Sequence, residues 1–404
     1  MITLPEVNPK KIVFKLNQKA ESSVRNNHPW IFEGSISLQK QEGKPGDIAI
    51  IFDRKKNSFL ACGLYDPNSP IRIKVLETKH PVTIDKNWFS KKIKQAHNLR
   101  KPLSKTDTNS YRLIYGENDG LPGLIADVYN HVIVVKLYSE IWYPYLKELF
   151  PILLETSATQ TMILRLSRNL QKSSSNYQLK DGQIVHGELK NEVIVFKEHG
   201  INFSANVIHG HKTGYFLDHR ANRKRVGELS KNKTVLDVFS YAGGFSVHAL
   251  AGGAKEVTSL DISTHALEIA ISNAKLNSYS GTHSIIAGDA FKTIENLIKE
   301  KNTFDIVVID PPSFAKKQSE IEIALKQYSK LARLSVQLVN KKGILVLASC
   351  SSRIKADEFF NAIEKEFSKS NRHLKPIDKT YHDIDHPITF PEGAYLKCGY
   401  YLVN

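Results

Sequence analysis

At 404 residues the chain exceeds what one ordinary core organises, so two or three domains are expected. Its 41% hydrophobic, 24% charged and 9% aromatic residues exclude a disordered chain; no apolar stretch is long enough to cross a bilayer and MITLPEVNPKK lacks a signal peptide's apolar core, so a cytoplasmic location is expected. A net charge of +15 and a pI near 9.4 point to a polyanionic partner, most simply nucleic acid, though a solvated lysine-rich face would give the same sum.

From residue 9 to about 80, KKIVFKL, GDIAIIFD, FLACGLYD and IRIKVLE read as short strands between Gly, Pro, Asn and Asp turn signals, a small β-rich domain over 1–82. A central α+β domain over 83–190 follows, with a helix at WFSKKIKQAHNLR, strands at HVIVVKLY and TMILRL, and a serine-rich loop, KSSSN, at 172–176. Over 191–404 the rhythm changes to alternating strands and helices. TVLDVFS (234–240), EVTSLD (256–261), HSIIAGD (283–289), FDIVVIDPP (304–312) and GILVLASCSS (343–352) predict a parallel sheet covered by helices on both faces, a doubly wound α/β fold.

Ligands of such sheets bind at the carboxyl ends of the strands. Asp237, Asp261, Asp289 and Asp310 stand at four of those ends. One such acid could simply cap the next helix; four in register are harder to explain that way. Gly243 and Gly244, in FSYAGGFS, let backbone approach a ligand before turning into a helix. The turn is not GxGxxG and no GxxxxGK[ST] occurs, which disfavours a dinucleotide or a nucleoside triphosphate and favours a nucleoside without phosphates, S-adenosylmethionine being the common one.

Cys62, Cys350 and Cys398 are widely spaced, so each should be a free thiol, and no cysteine or histidine spacing makes a zinc site; no metal is expected. The ordinary reading of such a thiol is a small buried hydrophobe.

DVFSYAGGFSVHALAGGAKEVTSLDIS, VIDPPSF, GILVLASCS and GHKTGYFLDHRANR together resemble class I methyltransferases of the large-subunit ribosomal RNA methyltransferase I family, which make 5-methylcytosine. RNNHPWIFEGSI (25–36) looks like the opening of that family's PUA domain, an RNA-binding β-barrel, YRLIYGENDGLPGLIADVY is similar to the start of its central domain, and HPITFPEGAYLK also matches. The resemblance implies a Rossmann-like methyltransferase domain behind a small PUA barrel and a central α+β domain, S-adenosyl-L-methionine as cofactor, and large-subunit ribosomal RNA as partner.

By the same resemblance Asp261 would hold the cofactor ribose and Asp289 would lie near the adenine amino group. Phe239, Ser240, Tyr241, Gly243 and Gly244 would flank the methionine portion, and Phe216, Asp218 and Arg220 would lie where the chain closes over the cofactor, with Asp237, Ile262, Ala290 and Asp310 completing the set. Tyr215 and Phe216 could equally be core. Cys350 would be the nucleophile at cytosine carbon 6, with Asp310 at ring nitrogen 3; carbon 5 is a poor nucleophile until a thiolate adds to carbon 6. Pro311, Pro312 and Phe314 would meet the target base, Phe314 by stacking or by packing beneath it, and Arg25 and His28 would meet RNA, while Trp30 and Phe32 are expected in the barrel core. Arg353 is the cation nearest Cys350 in sequence. Cys62 and Cys398 are expected to be structural. The base that removes the carbon 5 proton is not assigned, and the oligomeric state, a homodimer included, is left open. Two other readings remain: guanine methylation at nitrogen without a cysteine, and a non-catalytic RNA-binding or ribosome-assembly protein.

Overall fold

The computed structural model describes Leu4, residues 8–172 and residues 177–404; the serine-rich loop at 173–176 and positions 1–3 and 5–7 lie outside the described residues. The chain divides into two compact units, one of residues 1–197, 204–217 and 384–391, the other of residues 198–203, 218–383 and 392–404.

The first unit holds two sheets. Trp30–Phe32, Ile71–Thr78, Phe59–Tyr65, Ile48–Phe52, Lys11–Leu16 and Ile36–Gln39 pair in that order. Six flat strands would separate the end strands by about 24 Å. Here those end strands follow one another in sequence, joined by the single turn Glu33–Ser35, which can span at most about 14 Å. The sheet must therefore curl into a barrel, around a core that includes Ile12, Phe14, Ile31, Ala49, Ile51 and Ile73. Strand alternation sends Ile31 inward (1% exposed) and leaves Trp30 half-buried and Phe32 46% exposed. This corrects the expectation that Trp30 and Phe32 belong to the barrel core. The second sheet runs Gln183–His186, Thr161–Leu166, Val132–Leu137, Leu124–Tyr129, Ser110–Tyr115, and the helices Lys86–Arg100 and Leu146–Ser157 bury Trp88, Phe89, Leu149 and Leu153 in the same core. Asp85 caps the first of these helices, accepting from Trp88 N.

The second unit is a seven-stranded sheet: β1 Thr234–Val238, β2 Glu256–Asp261, β3 Thr282–Ala287, β4 Phe304–Ile309, β5 Val339–Ser349, β6 Leu374–Thr380 and β7 Lys397–Val403, ordered β3-β2-β1-β4-β5-β7-β6. Strands β1 to β5 are parallel as the apolar runs predict. The last two are not: β7 pairs antiparallel with both β5 and β6. Helices α1 Arg220–Leu229, α2 Gly244–Ala251, α3 Thr264–Lys275, α4 Ala290–Lys299, α5 Ile321–Ser335 and α6 Ala356–Phe367 belong to this unit. The chain walks outward from β1 to β3 and then returns to place β4 on the other side of β1, so the strand order reverses between β1 and β4.

Candidate active site

The loop after β1 is shaped by backbone conformations that side chains rarely adopt. Phe239 and Tyr241 have φ of 64° and 47°, and Gly243 has φ of 75°. A Cβ on Gly243 would come within 2.8 Å of Ala270 Cβ on α3, so this glycine is required by protein packing; Gly244 opens α2. Asp261, at the end of β2, fastens the loop: its Oδ2 accepts from Tyr241 N at 2.9 Å and its Oδ1 from Ser263 N at 2.9 Å. Beside it Ile262 is 75% exposed. Asp289 does cap the next helix, accepting from Lys292 N at 3.0 Å, and Ala290 is the buried first residue of α4.

Asp237 is only 1% exposed. Its Oδ2 accepts from Ser246 N at 3.0 Å and Ser246 Oγ at 2.6 Å, while its Oδ1 has no partner among the described residues. The hydroxyl of Ser240, in the same loop, is likewise buried without a partner. Such orphaned groups cost free energy unless a ligand meets them, which fits a loop that holds a polar cofactor. Burial raises the Asp237 pKa, against the Ser246 bonds and with the help of Asp310 and Asp261, to about 7. The folded state thus keeps a proton that the unfolded chain loses, so stability falls as pH rises between roughly 4 and 7. Asp237→Asn should flatten that slope by on the order of 4 kcal/mol across the window, read from thermal melts of both proteins at several pH values; parallel slopes would show that Asp237 is ionised throughout.

Cys350 follows the last residue of β5 and Asp310 follows β4, and these neighbouring parallel strands bring the two side chains together. Cys350 Sγ lies 3.8 Å from Asp310 Oδ1. A third residue joins them: His219, 3% exposed and immediately before α1, puts Nε2 3.3 Å from Asp310 Oδ1 and 3.5 Å from Cys350 Sγ. Burial disfavours a charged imidazole here, but Asp310, by charge and hydrogen bond, and Asp218 outweigh it and raise the His219 pKa. The Cys350 thiol is pushed well above its ordinary value by burial and by the charges of Asp310 and Asp218, against the pull of Lys397. The sequence reading missed both His219 and Lys397. Lys397, on β7, buries its ammonium against the carbonyls of Ser351, Ile354 and Tyr395, so it holds the loop that carries Cys350; Arg353 points to solvent. Both lie in stretches that carry the family resemblance, GHKTGYFLDHRANR and HPITFPEGAYLK, but nothing in those stretches ties either residue to Cys350, because each reaches it from a distant part of the chain.

Cys62 and Cys398 are 1% and 0% exposed within strands, whereas Cys350 keeps partial exposure. Asp218 Oδ2 accepts from Tyr395 OH at 2.7 Å, and the fully buried Arg220 pairs with Asp383 at 2.8 Å. Pro311 is buried and Pro312 exposed; the half-buried Phe314 meets Tyr328 edge to face with centroids 5.0 Å apart. In the other unit, Phe216 is 39% exposed, Tyr215 is buried, Arg25 pairs with Asp53, and His28 packs edge-on against Trp30 and Phe390.

Residues 112–390 match the family of S-adenosylmethionine-dependent methyltransferases, and residues 14–78 match a PUA-like domain. A protein from Deinococcus radiodurans named ribosomal RNA large subunit methyltransferase is 40% identical, covering 98% of each chain. The ribosomal RNA large subunit methyltransferase I of Escherichia coli O139:H28 is 35% identical over 93% of this chain and 96% of its own. Among solved structures, an S-adenosylmethionine-dependent methyltransferase from Streptococcus mutans superposes with a TM-score of 0.81 at 21% identity, over 96% of this chain and 99% of that one. A methyltransferase complexed with SAH gives 0.82 at 21% identity, over 97% and 100%. The sheet order, the loop after β1 and these matches together establish that the chain belongs to the S-adenosylmethionine-dependent methyltransferase family, with S-adenosylmethionine as its cofactor.

Proposed function

We propose that this protein methylates carbon 5 of a cytosine in large-subunit ribosomal RNA through a covalent adduct on Cys350. The observation that carries the reading is the pairing of Cys350 Sγ with Asp310 Oδ1, 3.8 Å apart, at the ends of adjacent strands beyond the strand-order reversal. A methylation of an exocyclic amine has no use for a thiol there. The relatives' names supply the RNA class, and the net charge of +15 suits a polyanion.

The bound cofactor supplies a methyl group made electrophilic by its sulfonium. In this reading Asp261 holds its ribose, with Ile262 against the adenine, Asp289 and Ala290 at the adenine edge, and Phe239 to Gly244 around the methionine portion; the partnerless Asp237 Oδ1 and Ser240 Oγ give that loop its polar demand. Asp218 and Arg220 complete the surroundings. The cytosine leaves its stack to enter the pocket. Cys350 adds to carbon 6 as the thiolate, and the proton it gave up reaches nitrogen 3 by way of the Asp310 carboxylate, which places electron density on carbon 5. After methyl transfer the carbon 5 proton passes to solvent, the ring expels Cys350 and nitrogen 3 returns its proton to Asp310. The fixed turn of Pro311 and Pro312 aims a backbone carbonyl at the cytosine amino group, and Phe314 supports the base. Arg25 and His28 contact the RNA backbone.

The test is incubation of the protein with large-subunit ribosomal RNA and labelled S-adenosylmethionine, followed by digestion and chromatography. Label in 5-methylcytosine is expected. Label in a methylated guanine would replace this reading with amine methylation, and cofactor binding without any transfer would leave an RNA-binding role.

A further inference from the structure

The reaction needs a thiolate, yet Cys350 stands in surroundings that favour the thiol, so some group must take its proton. We propose that Cys350, His219 and Asn222 act as nucleophile, base and positioning residue: His219 Nε2 takes the Cys350 proton, and the Asn222 carboxamide orients the ring and supports its charge. This inference rests on the reading of Cys350 as the nucleophile.

A base within hydrogen-bond reach of a nucleophile, itself oriented by a third group, is the general form of such devices, and Cys–His–Asn is the set used by papain-like proteases. His219 Nε2 is 3.5 Å from Cys350 Sγ, and on the far side of the ring Nδ1 is 3.2 Å from the Asn222 carboxamide nitrogen. Asn222 is 2% exposed and held in turn: its Oδ1 accepts from Thr380 Oγ1 at 2.6 Å and from Tyr400 OH at 3.0 Å. With Nδ2 toward Nδ1, the neutral ring carries its hydrogen on Nε2, facing Asp310.

A half-turn of the carboxamide interchanges its two ends. Nδ1–H then donates to Asn222 Oδ1, and Nε2 presents its lone pair to the thiol. The hydroxyls that had donated to Oδ1 can accept from Nδ2 instead, because each has a second acceptor within 3.4 Å, Cys398 O for Thr380 and Asn222 O for Tyr400. Both amide orientations are therefore satisfied, one suited to the neutral ring and the other to the imidazolium. In the step itself the S–H bond breaks, its electron pair stays on sulfur and an N–H bond forms at Nε2. The thiolate expelled after methylation meets the same imidazolium, so no co-reactant is consumed.

The charged and titratable groups around His219 are Asp310 after β4, Cys350 after β5, and Asp218 and Arg223 on its own segment, with Phe245 of α2 edge-on to the ring. Lys397 on β7 acts on the sulfur from the other side.

Iodoacetamide alkylation of Cys350 between about pH 5.5 and 10, followed by peptide mass spectrometry, reads the thiolate directly, with Cys350→Ala as the blank for the two buried cysteines. His219→Gln is expected to slow alkylation at neutral pH about tenfold or more and to move the inflection up by over one pH unit, and Asn222→Ala to slow it several-fold. A His219→Gln rate and inflection within about twofold of the wild type would overturn the proposal. Binding of S-adenosylhomocysteine checks that each variant is folded. Should His219→Gln lose it, Asn222→Ala decides, and an unchanged profile there overturns the proposal equally. Alkylation requires neither RNA nor methyl transfer. Absence of 5-methylcytosine beside an intact histidine-dependent profile would therefore sink the cytosine reaction alone, and a histidine-independent profile beside active transfer would sink the base alone.

Discussion

Cys350→Ala should lose methyl transfer by on the order of 10³-fold or more, and Cys350→Ser by a comparable factor, because a hydroxyl is far harder to ionise than a thiol. Alanine leaves Asp310 and the loops after β1 and β2 in place, so S-adenosylhomocysteine should bind with unchanged affinity. A second arm isolates the adduct. RNA carrying 5-fluorocytosine cannot lose fluorine as a cation, so the wild type should remain joined to it in a complex that survives denaturing electrophoresis, and Cys350→Ala should not. Undiminished transfer by the alanine variant would remove the covalent mechanism and favour amine methylation.

Glu198→Ala should destabilise the second unit by about 3–5 kcal/mol, measured by denaturant unfolding. Glu198 is fully buried and accepts from Arg223 Nε and Nη2 at 2.7 and 2.6 Å and from His248 Nε2 at 2.9 Å. His248 stacks on Phe203 with centroids 5.6 Å apart. Removing the carboxylate strands a buried guanidinium, and that cost exceeds the lost pairing itself. Burial alone would raise the Glu198 pKa, but Arg223 and His248 overcome it and hold it well below the carboxylate range. The stability this contributes is present above the unfolded glutamate's pKa and is lost as pH falls below it, so Glu198→Ala and wild type should converge in strong acid. A loss under about 1 kcal/mol at neutral pH would mean that water reaches the cluster.

The strand ends were the legible part of the site. Continuous apolar runs fix where β1, β2, β4 and β5 lie, which put Asp237, Asp261 and Asp310 at or beside the carboxyl ends of their strands without coordinates. Asp289 shows the limit of that argument, since it also caps α4. Phe32 shows another: a large aromatic in a three-residue strand reads as core, but the period of two gives that place to Ile31.

The parallel half of the sheet, the place of the loop after β1 and the adjacency of Cys350 to Asp310 were legible in the sequence alone, because these depend on periodicity and on strands that are neighbours by a general rule of connection. Only the tertiary structure decided what surrounds the thiol. His219 comes from the segment before α1, Asn222 from α1, Thr380 from β6, and Lys397 and Tyr400 from β7, a strand that runs antiparallel into the sheet. These residues lie up to 181 positions apart, between His219 and Tyr400. No local pattern encodes such a meeting; it is set by which surfaces pack when the last two strands close the edge of the sheet.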